Sequence, residues 1–142
     1  MSEATLATPE SRPSKGLHIA LWIVQALLAF AFGAAGLMKA TAPVEELAKN
    51  MAWVANSAPA LVRFIGVSEL LGAVGLILPA ALRIKPVLTP VAASGLVVIM
   101  VLAAGVHLVN AEAGVPVNVV LGGLAAFVAW GRLSKAPVAP RR

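Results

Sequence analysis

Four long apolar stretches, broken by short polar segments, dominate the chain. They cover roughly 17–38, 60–82, 87–109 and 116–133. Each is close to or above the about 20 residues that a helix needs to cross a bilayer core. Such runs predict four membrane-spanning helices. Pro90 and Pro116 fall in the first turn of the third and fourth spans, where a missing N–H costs nothing. Between the first two spans, Val44, Leu47, Ala48, Met51 and Val54 recur at helical spacing, with Glu45, Glu46, Lys49 and Asn50 in the other positions. That pattern predicts one short amphipathic helix lying in the membrane interface, with Trp53 as its anchor. Ser57 followed by Pro59 reads as an N-cap before an early helical proline. The architecture expected is an all-α, integral membrane four-helix bundle over 17–133. It is flanked by a polar tail at 1–16 and a basic tail at 134–142, both loose.

Composition agrees. The chain has 142 residues, 60% hydrophobic and 12% charged, against about 25% charged in an average soluble domain. The apolar run that follows Arg12 and Lys15 is too long for the core of a cleaved leader, so it is expected to be a span. There is no cysteine, which removes thiol–disulfide exchange and Cys-ligated clusters. Basic residues form no run and are not interleaved with aromatics, so nucleic acid is not expected as a partner.

Charge sets the expected topology. Four spans put both termini and the second turn on one side. That side carries Arg12, Lys15, Arg83, Lys85, Arg132, Lys135, Arg141 and Arg142, and the other side only Lys39, Lys49 and Arg63. The positive-inside rule then places both termini in the cytoplasm, with the protein multi-pass in the plasma (inner) membrane. Trp22 and Trp130 are expected at the cytoplasmic interface and Trp53 at the outer one.

The second span carries a carboxylate, Glu69, well inside it. An ionisable side chain in a span normally faces protein and has a partner. Gly66, Gly72 and Ala73 share its helical face, so Glu69 is expected at a close helix–helix contact. With the alternating topology, Lys39, Arg63, Glu69, His107, Asn110 and Asn118 all collect toward the outer end. Glu69 lies about 9 Å deeper than Arg63 at 1.5 Å per residue, and their azimuths do not match a helical pair. Its partner is therefore expected from another helix, either His107 or Lys39. These six residues define a candidate outward-facing polar pocket, in which Glu69 and His107 would handle a proton or bind a ligand. The competing reading is a satisfied buried network that fixes helix register. Asn110 and Asn118 suit loop or cap positions, and Gln25 suits an interhelical hydrogen bond. His18 and His107 sit at opposite ends of their spans, too far apart to clamp a haem, and the donor set is too small for a metal site.

Through Gly36-Leu-Met-Lys39, the run from Arg63 to Pro79 and the late His107, the chain resembles the DoxX-like family of small four-helix bacterial membrane proteins. The resemblance covers about 17–133. It implies a helical bundle in the plasma membrane. For some members it implies a link to quinone-dependent membrane redox complexes, and for a related eukaryotic group a role in assembling ion channels. The first expectation is an accessory or binding subunit whose pocket takes a quinone-like or lipid-like molecule, or a membrane or redox partner protein. The second is a quinone-linked oxidoreductase subunit with a Glu/His proton relay. The third is a small permease. The absence of any dinucleotide or phosphate motif weighs against self-contained redox chemistry.

If the second-span acid is the organising group, Glu69→Leu disturbs assembly in the membrane more than Glu46→Leu, which changes a solvated helix face. Expression and detergent-solubilised monodispersity measure the difference. Equal behaviour of the two variants would remove Glu69 from the centre of the scheme.

Overall fold

The computed structural model describes residues 12–142. The loose tail expected at 1–16 lies mostly outside the described residues. Its last two positions are helical, because Ser14 Oγ caps the first helix by accepting from Leu17 N at 3.3 Å. That helix, α1, spans Lys15–Thr41. Two short helices follow, α2 (Val44–Asn50) and α3 (Ala52–Ala55), and then α4 (Pro59–Leu82), α5 (Leu88–Val109) and α6 (Val115–Trp130). A π-helical turn at Gly131–Lys135 extends α6. Among the described residues, four helices, counting α6 with its π turn, are long and apolar enough to cross a membrane. The fold is the all-α membrane bundle that the apolar pattern predicts.

Neighbouring spans pack antiparallel, as the contacts across each seam establish. Between α1 and α4, Gly33 faces Ala73 and Gly36 faces Gly66. Between α4 and α5, Gly72 meets Leu96, and Thr89 Oγ1 donates to Gly75 O at 3.0 Å. Between α5 and α6, Gly122 meets Met100 and Gly114 meets His107. Between α1 and α6, Gly131 lies against Leu21. The core along these seams is Leu21, Leu28, Phe32, Leu76, Leu96 and Val128, all essentially inaccessible. The opposite faces are apolar and open, as lipid-facing surfaces are: Phe30, Phe64 and Leu102 are examples.

Four details depart from the sequence-based expectation. The amphipathic segment is two helices and not one, because Met51 adopts an extended conformation (φ −135°, ψ 95°) between α2 and α3. That break turns Trp53 inward. Its side chain is buried with Leu47, Val54 and Val62 instead of standing out as an anchor. Ser57 does not cap α4; Ala58 holds that position, and Ser57 Oγ donates to Trp53 O at 2.7 Å. The C-terminal segment also makes defined contacts. Ala136 is buried, Arg83 Nε donates to Ala139 O, and Arg141 N donates to Arg83 O, both at 2.8 Å. Arg83 itself closes α4 in the left-handed region (φ 56°), and Lys85 follows at φ 45°. These two conformations make the α4–α5 turn tight.

At the α1–α4 seam main chain meets main chain. A Cβ on Gly66 would stand 2.6 Å from Ala40 N and 2.8 Å from Gly36 O, and one on Gly36 would stand 2.7 Å from Gly66 O. These neighbours are backbone and cannot rotate away. Gly66→Ala is therefore expected to lower stability by about 1–3 kcal/mol through overpacking. Gly123→Ala, where a Cβ meets nothing within 4 Å, is expected to leave it unchanged or raise it. Thermal unfolding of the detergent-solubilised variants measures both. A Gly66→Ala melting point equal to wild type would mean that the seam has slack.

Candidate functional site

The backbone contact at Gly36 and Gly66 brings the C-terminal turn of α1 over the N-terminal half of α4. Lys39 is thereby set above Glu69, and its Nζ donates to both carboxylate oxygens, at 3.0 Å to Oε1 and 2.7 Å to Oε2. Glu69 is 3% exposed and the Lys39 side chain 11%. Arg63, one and a half turns earlier on α4, does not join this pair. Its Nη1 donates to Lys39 O at 2.8 Å, a cation satisfying a carbonyl at the C-terminal end of α1, where the helix dipole favours positive charge. Arg63 thus fixes the backbone of the residue that neutralises Glu69.

His107 has a different partner. It is near the end of α5, and the chain turns sharply after it, with Ala111 at φ 54°. That turn swings Glu112 back, so that His107 Nδ1 lies 2.7 Å from Glu112 Oε2. Both side chains are mostly buried. Gly114 makes room for the ring: a Cβ there would fall 2.7 Å from His107 Nε2. Asn110 Nδ2 donates to Val106 O at 2.8 Å in an exposed position, as a cap residue does. Asn118 lies inside the bundle on α6. It is 8% exposed, and its Nδ2 is buried with no hydrogen-bond partner among the described residues. Glu112 Oε1 is unpartnered in the same sense.

Lys39, Glu69, His107 and Asn118 line one cavity of about 510 Å³ at this end of the bundle. It lies between the α1–α4 pair and the α5–α6 pair. Apart from Ser68 its remaining walls are apolar, with Phe32, Ile65, Met100 and Leu121 among them, and Met51 and Trp53 come from the short helices. Of the six expected pocket residues, four line the cavity. Arg63 supports it from behind, and Asn110 is elsewhere. The Glu69–His107 pair weighed from sequence is not formed, because each side chain has its own partner, Lys39 for Glu69 and Glu112 for His107. Glu112 reads in sequence only as part of a short loop. The left-handed turn that returns it to His107 leaves no glycine to mark it.

A second polar cluster sits at the opposite end and was not expected. Arg132 reads in sequence as one of several topology-setting cations, yet it is 3% exposed. Its Nε donates to Gln25 Oε1 at 2.7 Å and its Nη1 to Ala136 O at 3.0 Å, with His18 Nδ1 also 3.0 Å from Nη1. The guanidinium stacks 5.2 Å from the centre of the Trp22 ring. Gln25 passes the network on, donating to Leu76 O at 2.6 Å. The interhelical role expected for Gln25 is present. The available signal was that His18, Trp22 and Gln25 fall on one helical face of α1, a polar stripe that requires a partner. The described residues contain no group of three or more His, Cys, Asp or Glu that could hold a metal.

The fold and its internal polar groups define a small four-span membrane bundle with a buried ion pair and a mainly apolar cavity at one end. The chain belongs to the DoxX-like family, whose model matches residues 23–128. Comparison with curated proteins and with solved structures finds no match.

Removing one member of a buried ion pair leaves an uncompensated charge, at a cost of about 3–5 kcal/mol, whereas replacing both with apolar residues is far milder. Lys39→Met is therefore expected to unfold well below wild type, and Lys39→Met with Glu69→Leu to recover most of the loss. Thermal scanning in one detergent provides the comparison. Additive losses in the double variant would show that the two side chains are not energetically coupled.

Proposed function

We propose that this protein is a binding or accessory subunit of the plasma membrane whose cavity takes a lipid-soluble molecule of quinone-like or lipid-like chemistry. The observation that carries this reading is the Asn118 amide. A buried donor without an acceptor is costly, and here it is in a wall of a cavity that is otherwise nearly all apolar. A cavity with one convergent polar end and hydrophobic sides suits an amphipathic guest. The described charges favour an orientation with both termini in the cytoplasm: Arg12, Lys15, Arg83, Lys85, Arg132, Lys135, Arg141 and Arg142 lie at the end opposite the cavity, while only Lys39, Lys49 and Arg63 lie at the cavity end. In that orientation the cavity belongs to the outer half of the bilayer.

The proton-relay alternative gains no support from the geometry. Both oxygens of Glu69 hold Lys39, and His107 is engaged by Glu112. A permease is likewise not favoured, because α1, α4, α5 and α6 run without a break at mid-depth, where transporter sites use interrupted helices.

The test is to reconstitute the wild type and Asn118→Leu in nanodiscs, extract the retained small molecules and identify them by mass spectrometry. The wild type is expected to retain a neutral, lipid-soluble molecule in near-stoichiometric amount, and Asn118→Leu to lose most of it while remaining folded. Equal retention by both would detach the ligand from this cavity, and capture of a protein partner with no small molecule would replace this reading with an assembly role.

A further inference from the structure

The cavity does not end at its polar groups. A second hollow of about 290 Å³ runs down the outer surface of the α4–α5 seam, between Ser68, Leu71 and Gly72 on one side and Ala92, Gly95 and Leu96 on the other. Ser68 and Ile99 line both hollows, so the two adjoin at these side chains. From Ile99 to Ala92 the groove follows seven residues of α5, about 10 Å of helix rise. It exists because the seam is built from small residues. Gly75 packs directly on Ala92, and Gly95 leaves a gap in which an added Cβ would meet nothing within 4 Å. The groove lies beside the core and opens sideways between two helices, past the exposed Leu71 and Gly95. It offers a sideways path from the bilayer toward the cavity.

The charges at the polar end restrict the head group. Lys39 and Glu69 neutralise each other, and Glu112 stands against His107, so no cation is left uncompensated among the cavity's described residues. An anionic head would enter without a counter-charge, at high desolvation cost. The unpartnered Asn118 Nδ2 asks for a neutral acceptor such as a carbonyl or hydroxyl oxygen. We infer that the guest is a neutral-headed, single-chain amphiphile, its oxygen accepting from Asn118 in the cavity and its hydrocarbon chain leaving through the α4–α5 groove past Ser68 and Ile99. This rests on the ligand-binding reading proposed above and adds the head-group charge and the tail path. The tail gains little free energy from the groove, since lipid around it is equally apolar. The groove acts sterically, letting a tailed head seat itself without parting the helices.

The experiment uses the full chain in nanodiscs and four probes: a tail-less benzoquinone, the same ring bearing a decyl chain, a neutral monoacylglycerol, and a lysophosphatidate of the same chain length. Affinities are corrected for partition into the bilayer. Gly95→Leu fills the groove from a position with free space around it and raises helix propensity. Ser68→Phe narrows the neck and serves as the second blocking variant. Gly123→Leu places the same bulk on α6, away from both hollows, as the control for folding. At least one tailed neutral probe is expected to bind the wild type. Whether that is the quinone or the acylglycerol identifies the source of the head. Gly95→Leu and Ser68→Phe should weaken it about tenfold, the scale of one overpacked contact. Gly95→Leu, which lies outside the cavity, should not change the tail-less ring, and Gly123→Leu should match the wild type throughout. Tailed probes unaffected by both blocking variants would overturn the tail path while leaving the cavity as a head-group site. Lysophosphatidate binding as tightly as the neutral probes would overturn the head-group assignment. No binding of any neutral probe to the wild type would bring down the ligand-binding reading itself, and this inference with it.

Discussion

The structure depends on closing a charge pair inside an apolar bundle. Glu69 can stay in α4 only if a cation reaches it without passing through lipid, and Lys39 does so because α1 and α4 touch backbone to backbone. Gly36 and Gly66 permit that contact, since a methyl group on either would collide with main-chain atoms of the other helix. Arg63 then ties the Lys39 carbonyl to α4. The order of cause runs from two glycines to a close seam, from the seam to an ion pair, and from the pair to a fixed register between helices. Everything at this end of the bundle, the cavity included, is referenced to that register.

The site shows how differently two acid–base pairs can be built. Lys39 and Glu69 meet across helices, 30 positions apart in the chain. His107 and Glu112 meet across one turn, five positions apart. The first welds the α1–α4 pair, and the second shapes the α5–α6 connection. The cavity is the space left between these two units, and each contributes one polar wall.

Much of this was legible in the sequence. The four spans follow from uninterrupted apolar runs, and the inward face of Glu69 follows from small residues at helical spacing, Gly66, Gly72 and Ala73. Lys39 was one of two partners that depth alone allowed. What could not be read depends on side-chain direction after a backbone irregularity. Glu112 returns to His107 because Ala111 takes a left-handed conformation that its identity does not announce. Trp53 points inward because Met51 breaks the short helix. Arg132 was hidden by its neighbourhood: a cation near a span's end reads as a topology signal, and only the His18, Trp22 and Gln25 stripe on α1 hinted that something charged had to meet it.

The Arg132 cluster has a mechanical consequence. It joins α1, α6 and the C-terminal segment through several short bonds and a stacked ring, and through Gln25 it reaches the backbone of α4. At the other end, the two helix pairs are separated by a cavity. The bundle is therefore clamped at one mouth and spread at the other, like a clothes peg. Splaying is cheapest far from the clamp, so the end that holds the cavity is the softer half of the bundle. A guest seating itself in the cavity would therefore strain the unclamped half and leave the register at the clamp unchanged.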